Sequence, residues 1–157
     1  SFLLALTLVA LLGVGLTNVI LAVGISTIPR FARLVRSSVL SLREVSYIEA
    51  SRALGAPDRR VLWRHVLPNS LAPVIVQATL SMGSTILTAA GLGFLGLGVQ
   101  PPTPEWGAML GEGRNYIFSQ PSVTTFPGLA IFLAVVGFNL LGDGLRDALD
   151  PQLRGRR

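Results

Sequence analysis

The sequence predicts an all-α protein, a polytopic membrane helical bundle whose helices are separated by one long charged segment. Half of the 157 residues are apolar and 13% are charged, whereas a typical soluble domain has about 25% charged residues. Three stretches, residues 2–28, 71–99 and 121–141, contain no charged residue. A helix needs roughly 20 apolar residues to cross the hydrocarbon core of a bilayer, so each stretch is long enough to contain a membrane span.

The first uncharged stretch is long for one membrane span and short for two complete ones. The sequence Gly13-Val14-Gly15 interrupts it near its middle. We therefore predict the end of one span over residues 2–12, a tight turn, and a second span over residues 16–30. A single helix that kinks at the glycines is the alternative, because glycines also bend helices.

The charged segment, residues 30–64, carries eight arginines and three acidic residues. An arginine at the bilayer centre costs about 2.5–3.5 kcal/mol, so this segment is predicted to lie outside the membrane. Ser41 and Glu44 have the spacing of a capping box, which predicts that a helix starts at Ser41. Gly55 is predicted to end that helix, because glycine readily adopts the left-handed conformation of a helix C-terminus.

A second short helix is predicted to follow Gly55. Pro57 suits its first turn, and Asp58 is favourable at its positively polarised end. Pro68 is predicted to stop this helix, and Asn69 with Ser70 to cap the next span, over residues 71–98. Residues 41–68 would then form a helix–glycine–helix unit.

The distribution of arginine predicts the orientation in the membrane. Eight arginines precede residue 71 and four lie in the tail, residues 143–157, whereas residues 99–120 carry only Arg114. Cytoplasmic segments are enriched in arginine, so the helix–glycine–helix unit and the tail are predicted to be cytoplasmic and residues 99–120 external. The last span is predicted over residues 121–141. Aromatic residues of the external loop are typical of a belt at the membrane interface, namely Trp106, Tyr116 and Phe118.

Composition excludes several classes of site. The chain has no cysteine and a single histidine, His65, so it offers neither a disulfide framework nor a histidine or thiolate metal cluster. All thirteen basic residues are arginine, whereas a phosphate-binding P-loop requires a lysine. Any dependence on ATP would therefore come from a partner. We expect no enzymatic activity, no bound metal or cofactor, and no nucleic-acid partner.

The helix–glycine–helix unit has the features of a docking surface. Glu49, Arg52 and Ala53 share one helical face by their spacing, and Ala50, Ala53 and Leu54 make a small, smooth surface. A short helix that docks in a groove of another protein is one interpretation. An amphipathic connector that rests on anionic lipid headgroups is the other, and these residues alone do not choose between them.

The same segment resembles a known motif. Glu49-Ala50-Ser51, Gly55 and Leu67-Pro68 resemble the "EAA" motif of permease subunits of binding-protein-dependent ABC importers. Ser51 stands in place of the second alanine, and His65 stands at the usual isoleucine position. Residues 94–107 and 138–151 resemble the second, "C-type" subunit of the dipeptide/oligopeptide/nickel subfamily. The resemblance covers essentially the whole chain, which is expected to be the C-terminal part of a longer permease with further spans upstream, all within one transmembrane domain, residues 1–157.

The resemblance implies a pore subunit of an ATP-driven importer for peptides or related small solutes. Residues 49–55 would be the coupling helix, seated in a groove of a cytoplasmic ATPase that binds ATP and Mg. The implied partners are that ATPase, a second homologous permease in a heterodimer, an external solute-binding protein and the lipid bilayer of a bacterial or archaeal cytoplasmic membrane, with a cytoplasmic C-terminus. The residues implied in coupling are Glu49, Ala50, Ser51, Ala53, Leu54, Gly55, Leu67 and Pro68.

Polar residues in the span over residues 71–98 are candidates for a translocation path. They fall on one helical face at spacings of four, three and four, and are Gln77, Ser81, Ser84 and Thr88. Polar groups inside a membrane tend to face the protein interior or a water-filled cavity. Packing between helices through serine and threonine is the alternative.

The external loop also allows two interpretations. Glu105, Trp106 and Glu112 form either a docking surface for the solute-binding protein or a short interfacial helix anchored by Trp106.

Two other functions compete with that of an importer subunit. An ATP-independent channel or secondary transporter would be expected to carry ionisable residues within its spans, and residues 71–99 and 121–141 contain none. A membrane anchor without a transport role would require neither the polar stripe nor the specialised loop. Copurification of an ATPase subunit would separate the importer from both.

Overall fold

The protein is all-α, as the sequence predicts, and its computed structural model describes residues 2–149. Seven α-helices make up this part of the chain, together with a π-helical and a 3-10 turn. The α-helices are α1 (Phe2–Leu12), α2 (Leu16–Arg43), α3 (Ser46–Ala53), α4 (Asp58–Val61), α5 (Leu67–Phe94), α6 (Trp106–Gly113) and α7 (Ser122–Leu149). The end of the predicted tail, residues 150–157, lies outside the described residues.

The glycines after α1 form a turn rather than a kink. Gly13 and Gly15 have φ angles of 91° and 138°, a region that favours glycine because it has no Cβ. The side-chain amide of Asn18 donates to the carbonyls of Leu12 at 2.9 Å and Gly13 at 3.1 Å. These bonds satisfy backbone acceptors at the end of α1, so the chain reverses there and α2 begins at Leu16.

Helix α2 extends beyond the predicted boundary at residue 30 and includes Pro29. In the turn before the proline, Ser26 and Thr27 each donate a side-chain hydrogen bond of 2.7 Å to a backbone carbonyl. Such bonds help a helix to continue through a proline. The predicted capping box is wrong, because Ser41 lies inside α2 and donates to the carbonyl of Ser37 at 3.1 Å. The next helix instead starts at Ser46.

Pro68 does not stop the helix that contains it, contrary to the prediction. Residues Asp58–Phe94 are continuous, through α4, a π-helical turn over Leu62–Val66, and α5. The amide of Leu67 donates to the carbonyl of Leu62, five residues back. Asn69 and Ser70 cap no helix start. Instead the Asn69 side chain donates to the carbonyl of His65 at 2.7 Å, and the Ser70 side chain donates to that of Leu67 at 2.9 Å. These side chains provide hydrogen-bond donors close to Pro68, which has no backbone N–H.

The ends of the two last helices also differ from the predicted spans. Helix α5 ends at Phe94 rather than residue 98, because Gly96, with φ 76°, turns the chain. The amides of Gly96 and Leu97 donate at 2.9 Å to the carbonyls of Gly93 and Leu92, which is a Schellman ending. Helix α7 continues to Leu149. The start of the predicted tail is therefore helical, and Arg146 lies in the last turn, where a positive charge is favourable.

Three helical stretches are long and apolar enough to cross a membrane, namely Leu16–Arg43, Asp58–Phe94 and Ser122–Leu149. In the most apolar part of the last stretch, only 11% of residues are buried within the structure. Apolar surface left open on this scale is expected to face lipid or other membrane helices. Together with their lengths, this exposure supports a multi-pass membrane protein.

The described chain divides into two compact units, each with its own apolar cluster. In the first unit, whose described residues are 2–28 and 79–141, the cluster joins α1, α2 and the end of α5 through Ala5, Val9, Val19, Ala22, Val23 and Leu92. In the second unit, whose described residues are 29–78 and 142–149, the cluster consists of Ile48, Val61 and Val66. Val39, Leu42 and Ala56 pack around it.

Within the first unit, helix α6 lies directly against the end of α5. A Cβ added at Gly107 would collide with the backbone of Ala90, and one added at Gly111 would lie 2.8 Å from the carbonyl oxygen of Phe94. Gly107 and Gly111 are four residues apart and thus share one helical face. Because these two glycines have no side chain, α6 and α5 can approach each other closely.

We predict that Gly107→Ala destabilises the protein by about 1–3 kcal/mol, because the new methyl group overpacks a contact between two backbones. The measurement is the midpoint of thermal unfolding in detergent. Gly137→Ala in α7 is the matched control, since nothing lies within 4 Å of a Cβ there. Equal midpoints for the two variants would contradict the packing described here.

Candidate functional site

The residues of the EAA-like motif lie on α3 and the turn that follows it. Helix α3 carries Glu49, Ala50, Ser51 and Ala53, and Leu54 caps its end. The amide of Gly55 donates to the carbonyl of Arg52 at 2.9 Å, and the amide of Ala56 donates to that of Ser51 at 3.1 Å. This is a Schellman ending, and Gly55 has the φ of 81° that it requires. The predicted role of Gly55 as a helix stop is correct.

A small buried cluster fixes the orientation of α3. Ile48 is fully buried against Val61 and Val66 of the following helix. Because Ile48 points inward, its neighbours on the opposite face point outward, and Glu49, Ala50 and Ala53 are exposed. Leu54 is 89% exposed, which is unusual for a leucine at a well-formed helix end. Ser51 is half-buried. The unit thus presents a short, smooth surface with one apolar side chain at its tip.

One ion pair connects the two short helices. Arg52 lies 3.4 Å from Asp58, and both side chains are substantially exposed. An exposed pair of this kind contributes at most about 1 kcal/mol, so the Ile48 cluster rather than the ion pair holds the unit together. Glu49 has no ion-pair partner among residues 2–149. Its carboxylate is therefore available to a partner.

The residues around Leu67 and Pro68 form an aromatic and amide contact that sequence reasoning missed. The rings of Tyr47 and His65 pack edge to face with centroids 6.0 Å apart. The side-chain amide of Asn69 donates to the Tyr47 hydroxyl at 3.1 Å and to the carbonyl of His65. His65, at the position where the motif usually has isoleucine, therefore helps to join α3 to the start of α5. The only local signal for this contact is the aromatic residue two positions before Glu49.

The candidate path residues lie on α5, with Gln77 in the second unit and the other three in the first. Ser84 donates to the carbonyl of Ser81 at 2.8 Å, and Thr88 donates to that of Ser84 at 2.8 Å. These two hydroxyl groups are thus satisfied within their own helix, as is common for serine and threonine in apolar surroundings. Ser81 is buried and Gln77 half-buried. Gln77 carries the largest polar group of the stripe.

Glu105 has a structural role in the predicted external loop. Its carboxylate accepts hydrogen bonds from the amides of Gly107 at 2.9 Å and Ala108 at 2.7 Å, and so caps α6. The same carboxylate lies in the space that a side chain at Gly93 would occupy. Trp106 begins the short helix and is about half-exposed, whereas Glu112 is exposed at its other end. The interfacial-helix interpretation describes Glu105 and Trp106 better than a docking surface does.

We predict that Gly55→Val disrupts the turn after α3, whereas Gly55→Asn retains it. Nothing lies within 4 Å of a Cβ at this position, so the difference arises from backbone strain, which costs a non-glycine residue roughly 1–2 kcal/mol and asparagine less. The measurement is hydrogen exchange of the amides of residues 55 and 56. Faster exchange is expected in Gly55→Val by roughly tenfold, and equal exchange in both variants would contradict this prediction.

Comparison with known proteins places the chain among membrane transport components. Residues 1–155 match the family model described as "Binding-protein-dependent transport system inner membrane component". The chain is 56% identical over 154 residues to the dipeptide transport system permease protein DppC of Alkalihalophilus pseudofirmus, which covers 98% of this chain and 51% of that protein. It is 56% identical over 155 residues to the glutathione transport system permease protein GsiD of Escherichia coli O1:K1, covering 99% and 51%. The chain therefore spans about half the length of these relatives.

Proposed function

The chain belongs to the family of inner membrane components of binding-protein-dependent transport systems, and from this membership we propose that it forms part of the pore of an ATP-driven importer for peptides or a related small solute. The observation that carries the proposal is the exposed surface of α3, held outward by the buried Ile48. A pore that only needs to pass a solute does not require such a surface. A pore driven by a separate motor protein does.

In this proposal α3 and its Gly55 turn are the coupling element. Leu54 enters an apolar groove of a cytoplasmic ATPase subunit, and Glu49 makes a polar contact at the rim of that groove. ATP and Mg bind to the ATPase, and its closure pushes on α3. The helix Asp58–Phe94, which continues through Pro68, then carries the movement away from α3. Coupling of this kind requires contacts that differ between two states of the transporter.

The remaining partners follow from the same proposal. The exposed apolar faces of the long helices are covered by lipid, by the preceding spans of the same subunit and by a second, homologous permease. An external solute-binding protein delivers the solute. The transporter lies in the cytoplasmic membrane of a bacterium or archaeon with α3 and the C-terminus of α7 on the cytoplasmic side, and hydrolysis of ATP occurs on the partner rather than on this chain.

A crosslinking experiment tests the coupling element. In the full-length transporter in proteoliposomes, a cysteine at Ala53 and another in the facing groove of the ATPase are expected to crosslink with a yield that changes on addition of ATP. Glu49→Lys is expected to abolish ATP-driven uptake while leaving the abundance in the membrane unchanged. Glu44→Gln, an exposed acid outside α3, is the control and should support normal uptake. No crosslink with both proteins folded, or normal uptake by Glu49→Lys, would overturn the proposal.

We propose in addition that Gln77 lies on the translocation path, because its amide is the one large polar group of the stripe on α5. Gln77→Leu is expected to lower uptake by roughly two- to tenfold, the value of one hydrogen bond to a polar solute. Ser84→Ala should have little effect, since the Ser84 hydroxyl bonds to its own helix. Uptake and ATP hydrolysis are measured in the same proteoliposomes. A fall in uptake by Ser84→Ala but not by Gln77→Leu would contradict this assignment.

A further inference from the structure

A cavity of about 280 Å³ lies in the first unit, between the end of α5, the segment that follows it and α6. Its apolar wall includes Val99, Pro101 and Ala108. The residues with polar side chains that line it are Gln100, Glu112, Arg114 and Asn115. Ligand sites are typically concave and mostly apolar with a few polar groups, and measure about 300–1,000 Å³. This cavity has that composition, and its volume of about 280 Å³ is just below the range.

Glycines line the side of the cavity formed by α5, the turn after it and α6. Gly93, Gly96 and Gly111 all border it. Gly111 cannot accept a side chain because of the nearby backbone of Phe94, and Gly93 cannot because of the Glu105 carboxylate. The packing of α6 and Glu105 against the end of α5, beside the cavity, therefore depends on glycine at these two positions.

Hydrogen bonds hold the walls in place. The Schellman ending at Gly96 fixes the end of α5, and the Glu105 cap fixes the start of α6. The side-chain amide of Gln100 donates to the carbonyls of Gly96 at 3.1 Å and Gly98 at 3.4 Å. The NH₂ group of Gln100 is therefore engaged in these bonds within the wall. Its side-chain carbonyl oxygen can still accept a hydrogen bond from a ligand. Walls fixed by backbone contacts need little reorganisation when a ligand binds.

Opposite charges border the cavity without neutralising each other. Glu112 ends α6 and Arg114 begins the 3-10 turn after it, and both contribute to the wall. Neither side chain forms an ion pair within residues 2–149. An arginine guanidinium binds a carboxylate with two parallel hydrogen bonds, and a carboxylate accepts bonds from an ammonium group. A ligand that carries both groups would satisfy both residues at once.

We propose that this cavity binds a small zwitterionic solute, an amino acid or dipeptide with both termini free, whose carboxylate pairs with Arg114 and whose ammonium group pairs with Glu112. The apolar wall at Val99 and Ala108 accommodates a small side chain. The role of this site in binding solute at the mouth of the pore rests on the proposed function. Its ligand specificity follows from the residues of the cavity alone.

Protection of an introduced cysteine tests the site. The chain has no cysteine of its own, so Ala108→Cys reports on the cavity in the assembled full-length transporter once cysteines elsewhere in the complex are replaced. Millimolar alanyl-alanine is expected to slow modification of this cysteine by a methanethiosulfonate reagent. The N-acetylated and the C-amidated dipeptide should protect about two- to fivefold less well, as each lacks one charge pair. Ser119→Cys, which lies outside the cavity, should be unprotected.

Charge-removing variants assign the two ends of the ligand. Arg114→Gln should abolish the preference for the free over the amidated C-terminus, and Glu112→Gln the preference for the free over the acetylated N-terminus. Arg146→Gln, an exposed arginine of α7, is the control and should change neither preference. Asn115→Cys supplies a second reporter in the same wall if Ala108→Cys does not assemble.

The outcomes separate this site from the proposed function, because protection is measured without ATP and uptake is measured independently. No protection of either cysteine in a transporter that imports dipeptides would overturn the site and leave the proposed function intact. Protection that does not depend on the termini would also overturn it. Protection with the expected preferences in a complex that carries out no ATP-driven import of peptides or related small solutes would support the site and overturn the proposed function.

Discussion

The structure depends on the need of every backbone carbonyl and amide to find a hydrogen-bond partner inside the chain, because hydrocarbon offers none. Helix interiors meet this requirement automatically, whereas their ends and their prolines do not. In this chain the ends are closed by short-range devices. Asn18 covers carbonyls at the end of α1, and Schellman endings close α3 and α5. Where Pro68 removes a donor, the π-helical turn and the side chain of Asn69 supply others nearby.

The same devices position the exposed surface of α3, to which the proposed function assigns the coupling. Gly55 ends α3 abruptly, so that Leu54 stands at an exposed tip rather than continuing into a longer helix. The helix that follows runs without interruption through Pro68 into α5. The Ile48 cluster and the contact between Tyr47 and His65 connect α3 to this following helix. Two weak surface charges, Arg52 and Asp58, contribute little to this connection.

The segment around α6 uses glycine in a different way. Here glycine provides close approach of backbones rather than an unusual φ angle, as Gly107 and Gly111 show against α5. The carboxylate of Glu105 accepts the hydrogen bonds that cap α6. The charged residues that border the cavity are Glu112 and Arg114. A carboxylate in this segment can thus be structural or available to ligands, and its hydrogen bonds decide which.

The sequence by itself determined the class of the protein, the positions of its apolar helices, the turn at Gly13–Gly15 and the stop at Gly55. These features are local, because the length of an uncharged run and the conformational freedom of glycine can be read one segment at a time. Sequence reasoning failed at Ser41, which bonds within α2, and at Pro68, where the chain continues as a helix. Only the tertiary structure decided the outward orientation of Glu49 and Leu54 and the cavity beside α6. Each of these depends on contacts between residues on different elements, such as Ile48 with Val66 or Gly107 with Ala90, which no local pattern encodes.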